Sequence, residues 1–581
     1  MHVHILPFAL FFLSSSSASA SSDHLQRTPQ EFIELTHLLP PSDHVTPACN
    51  LTIIDHSFTN SINKPPFTVP YSPPSDCHHP WSRIILEFHA KSKGQQYGLI
   101  AGLWLGGSEL LRTSTAEPCK SGDFWKVRKD ITRYSSLLVQ SNLDVTMMFE
   151  NIVNNVVTGV YHVNVNLLFV KDKAVTVPTP SFLSLHNSNA NSGFDSDKYY
   201  DPPADLIIPV SEDDGDKKGF WFRIESESDS HFKKVKFPRN TYRAILELYV
   251  SSHGNDEFWY LNPPNSYIEL NNITTGRGNG CYREVFVTID GRFIASEAPF
   301  PVIFTHGVNP LLWEPVVAIG AFSLPSYDID LSPFLGYVLD GKEHKITIGV
   351  NDAISYWLVN ANLHIWLDHS SSEVEASSAV YHYPNLSLET NEAFKFLDGR
   401  FQVAAKRRTV FVGWVKSSLG NLTTRAVRQF RYKNSLRFEK NGDYKLVQQK
   451  VKVKRSVETR TERGHLVNRV LIRRRYPLEV ATLNLAVLKK KKKNIYVVHT
   501  NVSHSFVEQC SIGKIRSSVT NNQVSTGWME IHKDHNSVVS GEGLTEQSYG
   551  YRDEFGCYSR SVSASNGKLV KDKTLPCLSP V

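Results

Sequence analysis

The feature that most restricts the fold is a strand pattern written twice. Val163-Asn164-Val165-Asn166-Leu167 sits in an aromatic, β-branched run from Val160 to Val170, and Val359-Asn360-Ala361-Asn362-Leu363 sits in a similar run from Tyr356 to Leu367. An acid-led segment precedes each: Asp130-Ile131-Thr132 and Asp328-Ile329-Asp330. Farther upstream each half has a strand, a tight turn and a second strand, Leu103 to Leu111 through Gly106-Gly107 and Val285 to Ile294 through Asp290-Gly291. Solenoid units run roughly 20–50 residues, far less than this spacing, so the pattern implies a duplicated β domain. Duplication creates an interface, and ligand sites form preferentially at interfaces between domains.

The rest of the chain fits that reading. Short runs of Ile, Val, Leu and aromatics recur through 49–172, near Arg83–Phe88, Leu99–Leu105 and Val145–Phe149. They recur through 204–369, near Phe220–Ile224, Arg243–Val250, Glu284–Ile289, Val302–Phe304 and Lys345–Val350. Such runs, broken by Gly, Pro, Ser and Asp, are the signature of all-β sandwiches. The Ser/Asn/Asp/Pro-rich stretch 173–203 reads as a linker, as does the polar stretch 21–48. A serine-rich gap at 370–379 precedes a more basic, β-patterned third block, 380–581. No long helix is expected; Ser135–Gln140 comes closest.

Residues 1–20 read as a signal peptide. The apolar block Ile5–Leu13 is too short to span a bilayer and leads through a serine run to Ala18-Ser19-Ala20. No later segment reaches the ~18 apolar residues of a transmembrane helix. Five Asn-x-Ser/Thr sites, at Asn50, Asn272, Asn385, Asn421 and Asn501, are candidate glycan acceptors on exposed loops. Seven cysteines leave at least one unpaired or shared between molecules. Cys49–Cys77 and Cys557–Cys577 are the preferred bridges because each closes a local loop, leaving Cys119, Cys281 and Cys510. There is no Cys-x-x-Cys pair and no metal-ligand spacing. The expected place is the secretory pathway, ending at the cell surface or wall, or in a vacuole.

The net charge of +6 is concentrated in the third block, in Arg473-Arg474-Arg475 and Lys489–Lys493. An anionic partner such as a cell-wall polysaccharide or nucleic acid is one reading; a solvated loop between strands is the plainer one. Nucleic acid is disfavoured because no aromatics interleave the lysine run. The densest chemical cluster is His253-Gly254-Asn255-Asp256-Glu257-Phe258-Trp259-Tyr260, on the loop after the strand Ala244–Val250. Adjacent carboxylates beside aromatic rings suit either sugar recognition with acid–base work or a turn that closes the sandwich end. Trp104, Glu109, Arg112 and Glu117 form a second group, and Asn309 to Glu314, with Trp313, a third. No Gly-x-Ser-x-Gly elbow exists, so a serine hydrolase is not indicated. A glycosidase would need two carboxylates at a set separation, for which Glu109 or Glu117 with Glu257 could be drawn.

Several ordered motifs are of one kind: Tyr71-Ser72-Pro73-Pro74-Ser75-Asp76-Cys77, Trp104-Leu105-Gly106-Gly107, Thr115-Ala116-Glu117-Pro118, Lys129 to Tyr134 and Gly159 to Asn164. Asn255 to Tyr260, Asn309 to Trp313, Tyr327 to Asp330 and Gly413 to Ser418 continue the series. Together they resemble the plant peptide-N4-(N-acetyl-β-glucosaminyl)asparagine amidase A family, the acidic plant peptide:N-glycanases, over about 49–581. The resemblance implies amidases of the secretory route or vacuole that release an N-glycan from asparagine and leave aspartate. It implies two tandem jelly-roll-like domains, with the site in their shared cleft, followed by a C-terminal β-rich domain. It implies no metal and no cofactor, and N-glycosylated peptides or glycoproteins as partners; the oligomeric state stays open.

One departure stands out. The resemblance places an aromatic-Asp-Arg triplet where this chain has Tyr97-Gly98-Leu99, and a cysteine where it has Ser92. Glycine offers no proton acceptor, and loss of general acid–base help costs about 10²–10⁴-fold. Either Asp256, Glu257 or Glu117 takes over, or the chain binds glycopeptide and cuts it poorly. Trp104 and Trp259 are the expected sugar-stacking rings, with Trp313, Asn279 and Arg283 as further glycan contacts; the plainer reading of Trp104, in a strand, is core, and that of Trp313 is structural.

Overall fold

The computed structural model describes residues 29–37, 47–117, 122–171, 202–213, 219–486, 495–513, 515–532, 537–554 and 556–576. The signal peptide, most of 173–203, Lys489–Lys493, Cys119 and Cys577 lie outside the described residues.

The first half contains β1 (Cys49–Phe58), β2 (Phe67–Tyr71), β3 (Arg83–Lys93), β4 (Ile100–Leu105), β5 (Ser108–Ser114), β6 (Asp123–Asp130), β7 (Leu143–Phe149) and β8 (Val160–Val170). They form two sheets, ordered β6-β3-β8-β1 and β2-β7-β4-β5. The second half contains β9 (Leu206–Val210), β10 (Ser230–Lys236), β11 (Thr241–Ser252), β12 (Glu284–Ile289), β13 (Arg292–Glu297), β14 (Ser326–Asp330), β15 (Glu343–Asn351) and β16 (Trp357–Leu367). Its sheets run β14-β11-β16-β9 and β10-β15-β12-β13, the same order strand for strand. A short strand, Phe222–Ile224, adds to β16.

Local chemistry repeats with the topology. The β4–β5 and β12–β13 hairpins turn on Gly106-Gly107 and Asp290-Gly291, both pairs at positive φ, as two-residue turns matched to strand twist require. After β6, the Asp130 carboxylate accepts from the Thr132 amide at 2.9 Å and a helical turn follows; after β14, Asp330 does the same for Ser332 at 3.0 Å. The acid in register with Asp130 is therefore Asp330, not Asp328 as the sequence pattern suggested.

The repeated asparagines show how the halves meet. On β8, Asn164 and Asn166 are half-buried and bond each other, Asp55 and Thr52. On β16, Asn360 and Asn362 are fully buried beneath β5. Asn362 exchanges two hydrogen bonds with the Glu109 backbone, at 3.0 and 2.8 Å, and Asn360 accepts from Arg112. Arg112 and Glu109, both 0 % exposed, form a bidentate pair at 2.8 Å, and Arg112 also donates to Ser251 and the Leu358 carbonyl.

Beyond Leu367 lies an eleven-stranded meander whose apolar face packs on the second half through Phe401, Phe430, Tyr432 and Phe438. Its first strand, Glu375–His382, begins inside the serine-rich stretch, because backbone pairing at a sheet edge needs no apolar side chain. Two further expectations give way. Val302–Phe304 is buried but not a strand, since Pro299 and Pro301 remove ladder donors next to it. Residues 29–37, placed in a linker, form a packed strap: Gln30–Phe32 pairs with β6, and the Glu34 carboxylate accepts the amides of Gly320, Phe322 and Ser323.

The Cys49–Cys77 bridge is present, and Cys281 and Cys510 are free thiols. Asn50, Asn272, Asn385 and Asn501 are exposed and Asn421 is half-buried; Asn50, Asn421 and Asn501 sit on strands rather than loops. No helix among the described residues is long and apolar enough to cross a membrane.

Candidate active site

Corresponding connections from the two halves converge at one end of the interface. From the first half come 94–99, joining β3 to β4 and carrying Gly98, and 115–117, which follow β5 and carry Glu117. From the second come 253–283, joining β11 to β12 and carrying Glu257, and 298–325, joining β13 to β14 and carrying His306.

Backbone bonds fix the meeting. Thr115 and Leu99 pair reciprocally, the Thr115 amide to the Leu99 carbonyl and the Leu99 amide to Thr115 Oγ1, both 3.0 Å. Thr305 Oγ1 then donates to the Thr115 carbonyl at 2.9 Å, drawing the second half against the first. A Cβ at residue 98 would lie far inside contact with His306 Nδ1, 3.0 Å from its Cε1 and 3.2 Å from Thr305 Oγ1. The imidazole of His306 thus occupies the space that any side chain at 98 would need.

His306 Nε2 stands 2.8 Å from Glu257 Oε1. The other ring nitrogen, Nδ1, is buried, faces Gly98 and has no hydrogen-bond partner among the described residues. Burial alone would lower the pKa of His306; the charges of Glu257 and Glu117 outweigh it and hold the ring up at about 9. Burial lifts Glu117 to about 7, opposed by His306 and reinforced by Glu314. At neutral pH the cluster holds an imidazolium and a carboxyl near its midpoint of titration. Arg277, 6 % exposed, lies over the Phe258 ring at 5.5 Å.

His306 ends a column of near-parallel rings. Phe304 lies 6.3 Å from it at 7°, His253 lies 5.5 Å from Phe304 at 21°, and Tyr356 lies 5.3 Å from His253 at 24°. Arg223 closes the column, 3.7 Å from the centre of the Tyr356 ring. His253 is held neutral, lowered to about 3 by burial and by the charges of Arg112, His306 and Arg223. Its Nε2 lies 2.8 Å from Ser251 Oγ.

The other sequence candidates lie elsewhere. Asp256 is 0 % exposed and accepts five donors: two from Arg283 at 2.7 and 2.8 Å, with Asn262, the Ile354 amide and Trp357 Nε1. A carboxylate so saturated holds structure and is not free to move a proton. Arg283, also 0 % exposed, spends its remaining donors on four backbone carbonyls, so it does not reach a glycan. Trp104, Trp259 and Trp313, expected to contact glycan, are at most 1 % exposed. Trp104 packs edge-on against Trp221, Trp259 lies against Trp357 and Tyr432, and Trp313 donates to the Gly307 carbonyl. Their apolar area went into packing between elements, which sequence position alone did not reveal. Asn279, half-buried, lines a separate cavity of about 210 Å³ with Asp352, Glu392 and Gln402. Sequence reasoning placed His253 in the 253–260 cluster without a role and missed His306; a lone histidine after a proline-rich run carries no pattern, and only the fold brings it to Glu257.

The sequence profile of the family described as peptide N-acetyl-beta-D-glucosaminyl asparaginase amidase A matches residues 38–384. The chain is 40 % identical over 547 residues to the peptide-N4-(N-acetyl-beta-glucosaminyl)asparagine amidase A of Prunus dulcis, covering 94 % of this chain and 92 % of that protein. Among solved structures, recombinant peptide:N-glycanase F is similar at 11 % identity and a TM-score of 0.34, over 55 % of this chain and 95 % of that one. PNGF-II is similar at 12 % identity and a TM-score of 0.33, over 55 % and 66 %.

Proposed function

This chain belongs to the peptide N-acetyl-beta-D-glucosaminyl asparaginase amidase A family, and on that premise we propose that it hydrolyses the amide joining an N-glycan to asparagine, at the junction of Gly98, Glu117, Glu257 and His306. The observation that carries the site is His306, seated against Gly98 with its Nε2 2.8 Å from Glu257 Oε1 and within the field of Glu117.

The assignment follows the chemistry of amide cleavage. Water adds to the side-chain carbonyl carbon of asparagine while Glu257 takes its proton. His306, cationic and with Nδ1–H unpartnered, donates to the oxygen that becomes an oxyanion. The C–N bond breaks as Glu117, protonated below about 7, gives its proton to the leaving nitrogen. The products are a glycosylamine and an aspartic acid side chain, whose proton passes to bulk water; Glu257 gives up the proton it took from the attacking water, and Glu117 is reprotonated. Gly98 leaves room for His306, so the second half supplies the polar group that the first half lacks.

The strand order, with the first sheet drawing on β1, β8, β3 and β6 and the second on β2, β7, β4 and β5, supports reading 49–172 and 204–369 as jelly rolls. The meander is then the C-terminal β domain. The Cys49–Cys77 bridge and the exposed Asn-x-Ser/Thr sites support a secretory route ending at the cell wall or in a vacuole.

The test is incubation with a defined N-glycopeptide, read by mass spectrometry. Free glycan with aspartate left on the peptide is expected. Binding without release would favour a weakened, glycan-binding member, the reading that Gly98 also suggests. Cleavage that leaves N-acetylglucosamine on the peptide would overturn the amidase reading.

A further inference from the structure

Four neighbouring strands of the meander, Asp398–Ser417, Gly420–Glu439, Tyr444–Thr461 and Leu466–Ala486, use their two faces differently. On the face toward the second half every arginine meets a carboxylate: Arg407 with Glu284, Arg428 with Glu297, Arg455 with Asp328 and Arg474 with Glu508. On the opposite face Lys406, Arg431, Lys452 and Arg475 stand directly across from one another in one row over the four strands. Lys454 faces Arg473 in the next row, and Lys433 faces Lys450 in the row on the other side. All of these are exposed, and none makes an ion pair among the described residues.

Like charges directly across strands destabilise a sheet. Here five such contacts, Lys406/Arg431, Arg431/Lys452, Lys452/Arg475, Lys454/Arg473 and Lys433/Lys450, are built into one surface with no carboxylate between them. With strands about 4.8 Å apart and alternate residues about 6.8 Å apart, the result is a closely spaced grid of cations. We infer that this face binds an acidic polysaccharide, a polymer bearing one carboxylate per sugar, at a site separate from the amidase cleft.

Charge complementarity names a polyanion, and the surroundings narrow it. Single-stranded nucleic acid is held by basic grooves that interleave aromatic platforms, and the grid positions carry no Phe, Tyr or Trp. Membrane attachment that lasts takes a second, apolar signal beside the basic one, and the grid has no apolar side chain to insert. The disulfide marks an oxidising compartment, on the side of the membrane away from the anionic cytoplasmic leaflet. A carboxylated glycan fits the remaining constraints: a periodic charge, an extended chain and no need for stacking or insertion.

Binding to polygalacturonate is the test, measured by retention on the cross-linked polymer and by affinity for the soluble one. Retention should weaken about tenfold or more between 50 and 200 mM salt. The variant Lys406→Gln/Arg431→Gln/Lys452→Gln/Arg475→Gln should lose at least about tenfold in affinity while keeping its glycopeptidase rate. A control removing equal charge elsewhere, Lys64→Gln/Lys91→Gln/Lys93→Gln/Lys571→Gln, should bind as the parent does. No retention, or equal loss in both variants, would overturn the proposal. Tighter binding to phosphatidylserine vesicles or to DNA than to polygalacturonate would overturn the choice of occupant.

Discussion

Asp256 and Glu257 are neighbours on one loop, and both carboxylates are buried. Asp256 turns into the second half and is satisfied by five donors. Glu257 turns to the junction between halves, where its partner is a histidine whose other nitrogen is left open. The same functional group, one position apart, is structural where every acceptor site is filled and chemically available where it is not. Saturation, rather than burial or proximity to aromatics, separates the two.

The largest effect expected from breaking this contrast is on stability. Arg283→Met strands the Asp256 carboxylate without its bidentate partner and should cost about 3–5 kcal/mol, read by chemical denaturation. Glu257→Gln keeps an acceptor beside His306 and should cost less stability than Arg283→Met, while kcat falls about 10²–10⁴-fold. Should Glu257→Gln unfold the protein and Asp256→Asn abolish only activity, the assignment of the two carboxylates would be reversed.

Gly98 sharpens the comparison from the other half. Gly98→Ala places a methyl where the His306 ring lies, so the ring must move. A displacement of that order can cost about 10²-fold in rate, and the loss should appear in kcat with the melting temperature held. Glu117 then sets the pH limb. Its pKa is raised to about 7, so the acid form that donates to the leaving nitrogen is present below that value and lost above it. The rate should fall tenfold per pH unit above about 7. Glu117→Gln should lower the rate and remove that limb, leaving the decline nearer the His306 value of about 9.

What the sequence revealed and what it hid follow from range. The duplication was legible because hairpin turns, Asp caps and strand alternation are local, and each half repeats them. The third block was legible as β for the same reason. The charge pairs were not. Asp256 beside Phe258, Trp259 and Tyr260 looks like a sugar site in one dimension, and only the approach of Arg283 and Trp357 marks it as structural. The tryptophans misled because rings at strand ends serve a sugar or a sheet junction equally well, and here Phe220 and Trp221 cover Trp104 while Tyr432 of the meander covers Trp259. Arg473 and Arg475 read as loop charges until cross-strand register placed them opposite Lys454 and Lys452.

The smallest effect tests how His306 is held. Its ring continues the stack of Phe304, His253 and Tyr356, and His253 is neutral, so any influence of His253 on the site acts through packing rather than charge. An aromatic pair contributes about 0.5–1.5 kcal/mol beyond its buried area. His253→Leu should therefore lower kcat by up to about tenfold with KM unchanged, because a looser His306 samples poses in which Nδ1 no longer faces the reacting oxygen. His253→Phe keeps the ring and gives up only the contact with Ser251, so it should recover most of the rate. Equal losses in both variants would mean that the hydrogen bond, and through Ser251 the Arg112 cluster, positions the site instead of the stack.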